Sequence, residues 1–313
     1  MKSTKKAIAF LMAVLMTLAL VSCGGDENNE EEEVIKTVAD DTSVLGMSFT
    51  SPEGYETVER SVEKTVDGKL ISKTIMYSLP DSCTLSFVFS DAEGHKLDDE
   101  LGEMKVERKE YNGTEIILYK SSKKTFMAFY QDGENVYGIQ YRASNEETID
   151  DEFDKILQGV KFNDNTETTL NDITLDDIEY NIELDVPLYS ESTNLKEKPD
   201  GTLVRKSFVW KFANDSEKKI DYRFGIEQNK NTKLEDMLKE DKKYDEKKLG
   251  EETYTFEKGE KKTDKYDHYN YYIQHGEDVY VVQNKGTSSG WFVSRSEESV
   301  KAFKTFINSV KFK

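Results

Sequence analysis

Gly133-Glu-Asn-Val-Tyr-Gly-Ile-Gln140 and Gly276-Glu-Asp-Val-Tyr-Val-Val-Gln283 agree at five of eight positions, and each precedes a helical segment closing in a nearly identical phrase. Those phrases are Phe153-Asp-Lys-Ile-Leu-Gln-Gly-Val-Lys-Phe162 and Phe303-Lys-Thr-Phe-Ile-Asn-Ser-Val-Lys-Phe312. Solenoid units span about 20–50 residues, so a repeat of roughly 140–150 residues predicts a duplicated domain. In the first copy the periodicity predicts strands near Met47–Tyr55, Leu70–Tyr77, Cys83–Phe89, Glu115–Tyr119, Thr125–Tyr130 and Val136–Tyr141, with a hairpin turn at Asp132-Gly133. A brief helix is expected over Lys96–Met104, and a closing one after Asn145 with Ile149, Phe153, Ile156 and Leu157 on one side. In the second copy the order recurs: strands at Tyr180–Val186, Val204–Phe212 and Ile220–Ile226, and a helix over Lys233–Tyr244. Strands at Thr253–Phe256, Asp267–Ile273 and Val279–Gln283 and a helix over Ser296–Val310 complete it.

Strands joined by short turns pair antiparallel, because parallel neighbours need a crossover of a dozen or more residues. The expected class is therefore α+β: two tandem copies of an antiparallel sheet flanked by helices, residues 44–162 and 177–313, joined by a polar linker at 163–176. The order of elements, with Phe49, Pro52 and Gly54 in the opening turn and closing helices that run to Phe162 and Phe312, resembles the PsbP-like fold. That resemblance implies a binding or assembly role and transfers no catalytic residue.

Lys2, Lys5 and Lys6 precede an apolar run from Ala7 to Leu20, interrupted only by Thr17 and followed by Leu20-Val21-Ser22-Cys23. The run is too short for a membrane helix, which needs about 20 residues, and reads as a secretory signal over residues 1–22. Leu-Val-Ser-Cys resembles the lipobox of bacterial lipoproteins, which implies that Cys23 is lipidated and becomes the first mature residue. Asp26, Glu27 and Glu30 to Glu33 then form an acidic tether within residues 23–43. The expected location is the outer face of the cell membrane, held through the lipid on Cys23.

The whole chain of 313 residues carries 43 Lys+Arg against 62 Asp+Glu, a net charge of −19. Loss of three lysines with residues 1–22 leaves 40 against 62, or −22. Such a surface excludes a nucleic-acid binder, which needs clustered positive charge for phosphate. The two cysteines exclude a disulfide scaffold, and Cys83, alternating with Leu85, Phe87 and Phe89, is expected in a core.

No motif for catalysis emerges. The histidines His95, His268 and His275 lack zinc-ligand spacing, and the carboxylates Asp98-Asp99-Glu100 and Asp150-Asp151-Glu152 read as solvated helix faces. Asn163-Asp164-Asn165 begins like a calcium loop, but glycine is missing at the sixth position and Thr174 stands at the twelfth. No cofactor and no metal is expected. The candidate contact surface is the strand Tyr266-Asp-His-Tyr-Asn-Tyr-Tyr272, which alternates Tyr266, His268 and Tyr272 with Tyr269 and Tyr271, extended by Trp291. Rigid tyrosines with polar tips suit a protein or cell-envelope ligand. The expected function is a non-enzymatic binding or assembly module; the competitors are the solute-binding lipoprotein of an importer and a cell-wall hydrolase.

Overall fold

The computed structural model describes residues 46–91, 94, 96–102, 104–162, 175, 177–213, 220–257, 270–285, 287–289, 292–294 and 297–313. The chain divides into two compact units, one of Met1–Val62, Leu70–Asn171 and Glu197–Thr202, the other of Glu63–Lys69, Asp172–Lys196 and Leu203–Lys313.

In the first unit, β1 (Met47–Ser48) is followed by β2 (Thr57–Thr65), β3 (Leu70–Leu79) and β4 (Cys83–Asp91). A single helical turn, α1 (Leu97–Leu101), leads to β5 (Val106–Tyr111), β6 (Thr114–Ser122), β7 (Thr125–Asp132) and β8 (Asn135–Arg142). The helix α2 (Ile149–Gln158) and the short β9 (Lys161–Phe162) close it. The sheet order is β2-β3-β4-β8-β7-β6-β5, and β9 returns to pair with β1, Met47 opposite Phe162. One face buries Ile75, Tyr77, Leu85, Phe87 and Phe126 under Ile149, Phe153 and Leu157 of α2. The spacing of those three helix residues puts them on one stripe, and each large side chain so buried contributes about 1.5–3 kcal/mol. On the other face α1 covers a smaller cluster, with Leu97 and Leu101 over Val88, Ile117, Met127 and Phe129.

The second unit repeats this order of elements with one addition. It runs β10 (Ile178–Glu179), β11 (Leu188–Glu197), β12 (Leu203–Ala213), β13 (Ile220–Asn229), α3 (Leu234–Met237), β14 (Tyr244–Leu249), β15 (Glu252–Glu257), β16 (Asn270–His275) and β17 (Asp278–Asn284). An added hairpin, β18 (Thr287–Ser289) with β19 (Phe292–Ser294), precedes α4 (Glu297–Ser309) and β20 (Lys311–Phe312). The sheet order, β11-β12-β13-β17-β16-β15-β14, matches the first, and β20 returns to β10 with Ile178 opposite Phe312. Trp210, Phe224, Tyr254 and Tyr271 pack under Phe303, Phe306 and Ile307 of α4. Details repeat as well. The Gln131 side chain receives the Leu97 N–H at 2.6 Å and donates to the Gly133 carbonyl at 3.0 Å. Gln274 does the same for Leu234 at 2.7 Å and Gly276 at 3.1 Å.

The expected α+β class is corrected. Among the described residues the protein is β-rich, 55% strand against 16% helix, and built of antiparallel sheet instead of sheets flanked by helices. The reason is local. The helix expected over Lys233–Tyr244 shrinks to Leu234–Met237, and the one over Lys96–Met104 to Leu97–Leu101, while Tyr244–Leu249 becomes a strand. The strand expected over Tyr180–Val186 lies instead at Leu188–Glu197, after Pro187.

Candidate functional site

In the first unit a cleft of about 680 Å3 lies between α2 and β5, β6 and β7. A second recess of about 420 Å3 shares Lys109, Tyr111, Asp154 and Gln158 with it, so the two flank one bridge of side chains. In that bridge the Tyr111 hydroxyl donates to Asp154 Oδ1 at 2.6 Å and Gln158 Nε2 donates to Asp154 Oδ2, also at 2.6 Å. Burial, and then the neighbouring carboxylate, pushes the Tyr111 hydroxyl well above the usual phenol range, so it stays a donor.

Chain geometry brings these groups together. Tyr111 ends β5 just before the tight Asn112-Gly113 turn, in which both residues have positive φ, 51° and 79°. The Asn112 side chain caps the end of α2, donating from Nδ2 to the carbonyls of Gln158 at 3.0 Å and Val160 at 2.7 Å. Turn, strand end and helix end are thereby locked to one another.

The cleft wall is apolar at depth and charged at the rim. Phe126 and Phe153 are 8% and 3% exposed, with ring centroids 5.8 Å apart. Lys120 lies 4.1 Å above the Phe126 ring and 3.4 Å from Asp150. Both partners of that ion pair are largely in water, so it orients the lysine more than it stabilises the fold. Lysines 105, 109 and 155 and acids Glu107 and Asp151 complete the rim. Such a lining can hold an amphipathic group, with apolar atoms against the rings and polar ones against either sign of charge.

The sequence-predicted contact strand is only partly described. Cys23, Tyr266, His268, Tyr269 and Trp291 lie outside the described residues, as do His95 and the half calcium loop from Asn163 to Thr174. Tyr271 is 1% exposed, packed among Tyr254, Phe256 and Phe303. Tyr272, on the opposite face, is half-buried; its hydroxyl accepts from Asn270 Nδ2 at 3.2 Å, and burial pushes its pKa up. His275 stacks on Phe312 at 5.0 Å, with Nε2 3.1 Å from the Lys313 carbonyl. Cys83 is half-buried at the start of β4, where its sulfur accepts the Ser144 N–H at 3.2 Å. Among the described residues no three His, Cys, Asp or Glu side chains converge as metal ligands, and no helix is long and apolar enough to cross a membrane.

The cleft was not read from the sequence, because Val106-Glu-Arg-Lys-Glu-Tyr111 carries too little apolar pattern. The signal that marks it is Asn112-Gly113, the strongest short hairpin signature, which requires a strand on each side.

No protein family and no curated protein matches the chain. Among solved structures it is similar to MucB in complex with MucA(peri), at 6% identity over 83% of this chain and 93% of that one, with a TM-score of 0.18. It is similar also to the MucA/MucB complex of Pseudomonas aeruginosa, at 6% identity over 82% and 93% of the chains, with a TM-score of 0.20. Scores this low mean that the backbones do not superpose as wholes, and neither fold nor function is carried across.

Proposed function

We propose that the protein is a lipid-anchored extracytoplasmic binding module. Cys23 holds it to the membrane, and the first-unit cleft seats an amphipathic cell-envelope component or protein segment. The carrying observation is the cleft itself: about 680 Å3 of space with aromatic walls and rim charges of both signs, braced by the Tyr111–Asp154–Gln158 bridge. The anchor rests on the order of Lys2, Lys5, Lys6, apolar run and Leu20-Val21-Ser22-Cys23. The pairs β3–β4, β4–β8, β7–β8, β12–β13 and β13–β17 are all antiparallel, whereas the lobes of an importer's solute receptor need parallel strands joined by crossovers.

Two measurements test this reading. Cys23→Ala is expected to abolish incorporation of labelled palmitate and to release the chain from the membrane fraction; labelling that persists removes the anchor. For the cleft, the amphipathic dye 1-anilinonaphthalene-8-sulfonate should bind the full chain saturably. Val106→Trp, which plugs the cleft mouth, should weaken that binding by about tenfold, equivalent to about 1.4 kcal/mol. Unchanged dye affinity in a variant with wild-type thermal stability would rule the cleft out.

A further inference from the structure

Asn112-Gly113 is the one Asn-Gly step in the chain, and it forms the exposed turn between β5 and β6. Asparagine before glycine carries a reaction of its own. The Gly113 backbone nitrogen attacks the Asn112 side-chain carbonyl carbon and gives up its proton, while ammonia leaves with the electrons of the Cγ–Nδ2 bond and a cyclic imide closes. Water then opens the imide at either carbonyl, leaving aspartate or isoaspartate. The balance is water in and ammonia out, so solvent supplies everything the step consumes. Gly113 has no side chain to crowd the ring as it closes, and the space beside it is open, with nothing within 4 Å of where a Cβ would stand.

The fold adds a latch on the leaving group. Asn112 Nδ2 donates to the carbonyls of Gln158 at 3.0 Å and Val160 at 2.7 Å, where α2 ends. Closing the imide turns Cγ toward Gly113 and expels that nitrogen, so both bonds must break first. Two ordinary hydrogen bonds to be broken correspond to a slowing of about tenfold. The product is worse than an open latch. A carboxylate has no N–H to donate, and in this place it would face two carbonyl oxygens at the end of a helix that already carries negative partial charge. In the second unit the corresponding turn is Gly250-Glu251, between β14 and β15, and it has no amide to lose.

We propose that Asn112 is a deamidation site, gated by its two bonds to the end of α2, and that its conversion unfastens the β5–β6 turn from that helix for good. Tyr111 and Gln158, which join this turn and this helix end to Asp154, belong to the bridge beside the cleft, so the change reaches the cleft rim. The site itself does not depend on what the cleft binds.

Trypsin gives a direct readout, because the fragment Glu110–Lys120 contains Asn112 and no other side-chain amide. The full chain in a neutral detergent and a synthetic peptide of those residues are incubated side by side in one mildly alkaline buffer, and the mass of the fragment is followed over time. Conversion is expected in both, about tenfold slower in the folded chain. A folded chain that converts as fast as the peptide, or not at all after about fifty peptide half-lives, would overturn the proposal. The consequence is read on Asn112→Asp, which reproduces the aspartate product. Both residues tolerate the left-handed backbone of this turn, so the comparison isolates the amide. The variant should melt several degrees below wild type; an unchanged or raised Tm would show that the latch does not hold α2.

Discussion

Asp278→Ala should destabilise the second unit by about 3–5 kcal/mol, the usual consequence of removing one member of a buried, hydrogen-bonded charge cluster. Asp278 is 8% exposed at the first position of β17. Its Oδ2 accepts from Lys230 Nζ at 2.6 Å and Gln228 Nε2 at 2.8 Å, and its Oδ1 from the Asn231 N–H at 3.0 Å. The substitution removes the acceptor of all three donors; Gln228 Nε2 keeps the Tyr280 hydroxyl at 2.7 Å, whereas Lys230 and the Asn231 N–H must turn to solvent. Burial alone would raise the Asp278 pKa, but the bonds from Lys230, Asn231 and Gln228 outweigh it and hold the carboxyl below its usual range. A depressed folded pKa contributes stability that is fully present above the unfolded value of about 3.9 and disappears as pH falls through the folded value. Urea midpoints followed by tryptophan fluorescence should therefore fall from about pH 4 downward in the wild type, and less steeply in Asp278→Ala. A loss below about 1 kcal/mol at neutral pH would mean the donors find other acceptors.

Gly250→Ala should cost about 2–4 kcal/mol, from a left-handed backbone and a collision together. Gly250 has φ +64°, and an added Cβ would lie 2.5 Å from the backbone oxygen of Asn308 near the end of α4. The obstacle is main chain, so either the turn or the helix end must shift. Gly68→Ala is the control: φ is +83° but nothing lies within 4 Å of the added atom. It should lose only about 1–2 kcal/mol, the backbone part. Equal losses in the two variants would show that the helix end yields freely.

The same position in the first unit is Asn112, which reaches the end of α2 with hydrogen bonds where Gly250 reaches α4 by close approach. A sequence reading finds the elements whose apolar pattern is strong. Val136–Tyr141, Val279–Gln283 and the stripe of Phe303, Phe306 and Ile307 are where periodicity puts them. It loses Thr57–Thr65, Val106–Tyr111 and Tyr244–Leu249, strands rich in Glu, Lys and Arg. Val106–Tyr111 and Tyr244–Leu249 are the outer strands of their sheets, where charge discourages pairing with another chain and erases the alternation that announces a strand. The cleft lies against one of them and was illegible for that reason.

The pairing of β1 with β9 and of β10 with β20 places Met47 beside Phe162 and Ile178 beside Phe312. The first and last strands of each repeat are therefore hydrogen-bonded neighbours, so a single repeat excised from the chain would keep its two ends side by side and could be closed into a ring there. What such a ring would lack is the short segment that the other half of the chain contributes, Glu197–Thr202 to the first unit and Glu63–Lys69 to the second.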